Sequence, residues 1–133
     1  PFQPGPAFIE AWKQTIRVRD PNGSTPLERA LAAADAALTG AESLLQQRSM
    51  VIVITDGEPT CSDDPGAFER YPSAWLERGI QTHVMGLPGS GAAAELLDRV
   101  ARAGGTGQHT PIGTPDQLTM GVATVLASRR FGP

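Results

Sequence analysis

The sequence predicts an α/β fold, a doubly wound parallel sheet with flanking helices, and three observations carry that expectation. The stretch Met50 to Thr60 reads M-V-I-V-I-T-D-G-E-P-T, and the unbroken β-branched run Val51 to Ile54 suits a strand covered on both faces, as strands in parallel sheets are. Strand-like runs then alternate with longer helical patterns, an order that demands parallel pairing through crossover connections. Turn and capping residues punctuate the chain at each change of pattern.

In chain order, Pro1 to Pro6 is a proline-rich lead-in, and Phe8, Trp12 and Ile16 recur at four-residue spacing, which predicts a short amphipathic helix. Asp20-Pro21-Asn22-Gly23 is a dense turn signal. Thr25 heads the next helix, with Pro26 in the first helical position and Glu28 at the capping-box spacing. Leu27, Leu31, Ala34 and Leu38 share one face of it, and Gly40 interrupts the pattern before Leu44 and Leu45. Residues 50–55 form the first strand. An acidic, turn-rich loop follows, and then Phe68, Tyr71, Trp75 and Leu76 fall at helical spacing, with Pro72 splitting or starting that helix and Gly79 placed where it ends.

Residues 80–87 read as the second strand. Gly89-Ser90-Gly91 leads into a helix over 92–103 whose Leu96, Leu97 and Val100 face inward and which Gly104-Gly105 ends. Residues 107–112 are a short third strand. Thr114-Pro115-Asp116-Gln117 repeats the capping-box logic and starts a last helix with Leu118, Val122, Val125 and Leu126 on its face.

The strand 50–55 also delivers a carboxylate. Asp56-Gly57 is turn chemistry and Glu58-Pro59 stops the strand, so Asp56 emerges at the carboxyl end, where open α/β sheets bind ligands. Asp-Gly also closes many turns that bind nothing. Upstream, Gly23-Ser24-Thr25-Pro26-Leu27 opens the Ala/Leu helix. The pair G-S-T-P-L and V-I-V-I-T-D-G-E-P resembles the later two-thirds of a von Willebrand factor type A domain, a resemblance that spans most of the chain.

That resemblance implies a divalent cation at the top of the sheet in a metal-ion-dependent adhesion site. The family builds it from an Asp-x-Ser-x-Ser loop, a threonine in a second loop and an aspartate in a Thr-Asp-Gly context. The second matches Thr25 and the third Asp56, so these two are the implied metal ligands. The Asp-x-Ser-x-Ser motif has no counterpart here. Residues 1–22 are accordingly expected to be a lead-in and connecting segment and 23–130 a partial domain, truncated of its first strands. The strand 50–55 is then expected at an exposed edge.

Mg²⁺, or another divalent cation such as Ca²⁺ or Mn²⁺, takes hard oxygen ligands and keeps several waters, so a carboxylate and a hydroxyl are chemically suitable partial ligands. A capping hydroxyl also explains Thr25 completely, and losing such a cap costs about 1 kcal/mol. Glu58, Asp63 and Asp64 add negative potential and read as solvated loop charges.

With 133 residues and 40% hydrophobic content, the chain is one domain at most and can bury roughly two-thirds of its unfolded surface. A net charge of −3 and a pI near 5.3 argue against a nucleic-acid surface. No apolar run approaches the roughly 20 residues that span a bilayer. The start at Pro1 is expected to reflect a fragment or a processed form. Cys61, the single cysteine, is a loop thiol or half of a bridge to sequence elsewhere.

The leading functional expectation is a binding module of the adhesion type, whose cation completes its coordination with an acidic group of a partner protein. The run Leu87-Pro88-Gly89 to Gly105-Gly107 resembles the tails of secreted or surface-anchored bacterial members, which implies an extracellular or envelope location. The alternative is a Mg²⁺-dependent or nucleotide-dependent enzyme on a Rossmann-like sheet. It would use Asp56 for metal and Gly89 to Ala94, a lax Gly-x-Gly-x-x-Ala fingerprint, for phosphate. Small residues at a strand-to-helix turn are the plainer explanation of that run, and Asp116 sits at a helix start rather than a strand end, where a ribose partner belongs. His83 and His109 read as structural, and no catalytic constellation assembles.

Overall fold

The computed structural model describes residues 6–18, 26–40, 49–59, 64 and 66–128. Helices and strands alternate as α1 (Pro6–Arg17), α2 (Leu27–Gly40), β1 (Met50–Thr55), α3 (Ala67–Glu77), β2 (Gln81–Gly86), a 3-10 turn (Ser90–Ala93) running into α4 (Ala94–Ala103), β3 (Thr110–Pro111) and α5 (Pro115–Ser128). The three strands form one parallel sheet in the order β1-β2-β3, with Met50 opposite Gln81 through Thr55 opposite Gly86. The chain is therefore an α/β, Rossmann-like fold, with β1 at one edge of the sheet among the described residues.

Because side chains alternate along a strand, Val51, Val53 and Val84 point to one face, where they meet Leu27 and Leu31 of α2, Phe68 and Trp75 of α3, and Leu97, Val100 and Ala101 of α4. Each large side chain so buried is worth about 1.5–3 kcal/mol. Two polar links lock these helices together. The Trp75 indole N–H donates to Asp35 Oδ1 at 2.8 Å, joining α3 to α2, and Arg99 Nε donates to Glu69 Oε1 at 2.7 Å, joining α4 to α3.

Both α3 and α4 end in Schellman motifs, the stops that glycine enables. Ile80 N–H reaches back to the Trp75 carbonyl and Gly79 N–H to Leu76, with Gly79 at φ 77°. Thr106 and Gly105 repeat the pattern on Ala101 and Arg102, with Gly105 at φ 80°.

Several elements differ from expectation, each for a physical reason. Pro72 neither splits nor starts its helix: it lies fully buried within α3, which forgoes one backbone hydrogen bond there. The third strand shortens to Thr110–Pro111, because Gly107 sits at φ 87° and the His109 N–H turns to Asp98 Oδ1 at 3.0 Å instead of to a strand.

On the opposite face Met85 packs under α5, where a Cβ on Gly121 would stand 3.4 Å from Met85 Cε. Leu118, Val122 and Val125 of α5 are half-buried as the pattern predicts, but Leu126 is 53% exposed. At 100° per residue Leu126 is rotated about 80° from Leu118, off the apolar stripe. In α1 the spacing gives a helix as predicted, and Ile9 and Trp12 lie exposed on it.

Candidate functional site

The carboxyl end of the sheet gathers the polar features. Thr55, the last residue of β1, is buried, and the next residue, Asp56, is exposed in a bend. The strand stops there because Gly57 folds back toward the Thr55 hydroxyl (3.5 Å) and Pro59 cannot donate to a ladder. Asp56 thus stands where the V-I-V-I-T-D-G-E-P pattern predicts, at the carboxyl end of a parallel strand.

The loop after β2 presses against this turn. Leu87 N–H donates to the Thr55 carbonyl at 2.8 Å, and Gly89, at φ 108°, lies so close that a Cβ there would stand 2.9 Å from the Asp56 carbonyl oxygen. Glu58 beside it is exposed. Asp64 has local work at the start of α3: its Oδ1 accepts from Gly66 N–H at 2.9 Å and its carbonyl from Ala67 N–H at 3.2 Å. The other implied ligand, Thr25, lies outside the described residues, as do Cys61 and Asp63. Among the described residues no three His, Cys, Asp or Glu side chains converge on a point where a metal could sit.

The Gly89 to Ala94 run forms the 3-10 turn and the first residue of α4, with Ser90 buried and its N–H held by the Leu87 carbonyl at 3.0 Å. Asp116 is exposed in the first turn of α5. Thr114 caps that helix by accepting from Gln117 N–H at 3.2 Å. The Gln117 side chain returns to the Gly113 N–H at 2.6 Å, a capping box displaced by one residue. Between these two loops lies an apolar hollow of about 290 Å³, lined among others by Leu87, Ile112, Pro115 and Leu118.

One polar pair escapes sequence reasoning. Asp98 Oδ1 accepts from both the backbone N–H and the ring Nδ1 of His109, at 3.0 and 2.7 Å. Since a carboxylate only accepts, the proton lies on Nδ1. The hydrogen bond from the His109 ring, then that from its backbone, holds the Asp98 carboxyl below its ordinary value. No local signal marks the pair, because its members are eleven residues apart on different elements. The His109 ring is thus tied to α4, and His83 lies half-buried in β2.

No helix among the described residues is long and apolar enough to cross a membrane. No protein-family model matches the chain, and no curated protein matches it.

Proposed function

We propose that the chain is a cation-dependent protein-binding module of the von Willebrand factor type A kind. A divalent cation, Mg²⁺ in the first instance, is held by Asp56 and Thr25 and bridges to an acidic side chain of a partner protein. By the same resemblance the module works outside the cell or in its envelope. One observation carries most of the weight: an exposed aspartate in a Thr-Asp-Gly turn at the carboxyl end of a parallel β-branched strand. The chemistry needs no nucleophile or general base, since a hard cation with open positions accepts a carboxylate oxygen from outside directly.

The test is thermal melting with and without Mg²⁺, on the wild type and on Asp56→Ala. Binding to the native state alone raises the melting temperature by an amount that grows with the logarithm of ligand concentration over Kd. The expected result is a Mg²⁺-induced rise in the wild type that Asp56→Ala abolishes. If the rise survives that substitution, the cation is bound elsewhere and Asp56 is only a turn residue.

A further inference from the structure

We infer that Gly89 is a positioning residue for the cation site, so that the loop between β2 and α4 sets how the Asp56 carboxylate is presented. This rests on the cation-dependent reading above. Two contacts make the link. The Leu87 N–H bond to the Thr55 carbonyl, at 2.8 Å, carries the β1–β2 ladder one step past its last paired residues, Thr55 and Gly86, and so fixes the peptide entering Asp56. Two residues on, Gly89 turns the chain at φ 108°, where any Cβ would come within 2.9 Å of the Asp56 carbonyl oxygen.

That approach is closer than real Cβ atoms tolerate, and the obstructing atom is backbone, which cannot swing aside as a side-chain tip can. A side chain at position 89 therefore forces this backbone contact apart, and the Asp56 peptide is one of its two sides. The Asp56 carboxylate is exposed and hangs from this turn, so its position follows its backbone. Mg²⁺ demands near-ideal octahedral geometry with ligand distances of about 2.0–2.1 Å, which leaves little room for a displaced ligand. Substitution of residues that orient metal ligands typically lowers affinity about 10–100-fold.

Gly79 supplies the control. It also has a positive φ, 77°, but a Cβ there meets nothing within 4 Å. Gly79→Ala therefore carries the backbone strain without the collision, at the amino end of the sheet.

The experiment titrates Mn²⁺ and Mg²⁺ alone, reading Mn²⁺ affinity from the paramagnetic signal of the free ion and the Asp56 and Gly57 amide shifts from ¹⁵N spectra. Gly89→Ala and Gly89→Asn should both weaken Mn²⁺ by about tenfold or more and move those two amides, while Gly79→Ala binds like the wild type. Asn visits left-handed backbone far more readily than Ala. A Gly89→Asn variant with wild-type affinity would thus assign the effect to strain and overturn the inference, and it decides alone should Gly89→Ala not fold. Wild-type affinity in Gly89→Ala, with binding lost in Asp56→Ala, overturns the positioning role and leaves the cation site standing. A wild type that binds no Mn²⁺, or binds it equally after Asp56→Ala, overturns both.

Discussion

At the amino end of the sheet the Thr82 peptide is gripped from both sides, whereas at the carboxyl end the chain runs out into exposed turns. Thr82 N–H donates to the Gly104 carbonyl at 3.0 Å, and the Thr106 hydroxyl donates to the Thr82 carbonyl at 2.7 Å, with Thr82 itself fully buried. The Trp75 carbonyl accepts from both Arg78 and Ile80, closing α3 onto the start of β2. The opposite end carries exposed Asp56, Glu58, Pro88 and Gly89 and the apolar hollow beside Leu87. The two ends divide the labour of the fold. Helix stops and the buried Thr82 secure the sheet at one end, which leaves the other free to hold exposed polar groups in the position where α/β sheets meet their ligands.

The largest effect that should follow from this division lies in the side chains beneath the secured end. Trp75→Ala removes a fully buried indole and leaves Asp35 without its 2.8 Å donor. Such a truncation should cost about 3–5 kcal/mol, read as a fall in the denaturant midpoint. A cost under about 1 kcal/mol would mean that α3 does not anchor the sheet.

Thr82→Val tests the same end with the opposite sign. The Thr82 hydroxyl is buried without a hydrogen-bond partner among the described residues, so a methyl of similar shape should stabilise the protein by about 1 kcal/mol. Destabilisation would show that the hydroxyl is satisfied in solution.

How much of this contrast could be read beforehand depends on how local its causes are. Gly79 and Gly104-Gly105 announce helix ends because only glycine readily takes the left-handed backbone a Schellman stop needs, and both stops form. The Thr114 to Gln117 box and the emergence of Asp56 after a β-branched run are equally local, and both appear. Nonlocal causes leave no such trace. β3 shrinks because His109 gives its N–H to Asp98, and Pro72 stays helical because the core around Trp75 buries its ring. Leu126 is apolar like its neighbours on α5 yet is exposed, because it is rotated off the stripe that Leu118, Val122 and Val125 share.

The Asp98–His109 pair sharpens the comparison, since it fastens the chain entering β3 to α4 near the open end. Its carboxyl is held below the ordinary value by the His109 ring and backbone hydrogen bonds. A carboxylate whose folded value lies below its unfolded one adds stability that is complete above the unfolded value, about 3.9, and is lost as pH falls through the folded value. Asp98→Asn, which has no charge to lose, should therefore be less stable than the wild type at pH 7 and should lose less on acidification below about pH 4. Melting temperatures between pH 7 and pH 3 report this as converging curves. Parallel curves would place the acid sensitivity elsewhere.

The smallest effect on stability is expected at the residue with the largest proposed role. Asp56 is exposed, follows the last paired position of β1, and has an exposed acidic neighbour two residues on in Glu58. Its carboxylate contributes little to burial, and removing it relieves one like-charge repulsion, so in metal-free buffer Asp56→Ala should change stability by no more than about 0.5 kcal/mol, in the stabilising direction if at all. Chemical denaturation in chelator measures this cleanly, because no cation then favours the native state. A loss above about 1 kcal/mol would place Asp56 among the structural turns, and the open end of the sheet would then hold the fold together no less than the end that Thr82 closes.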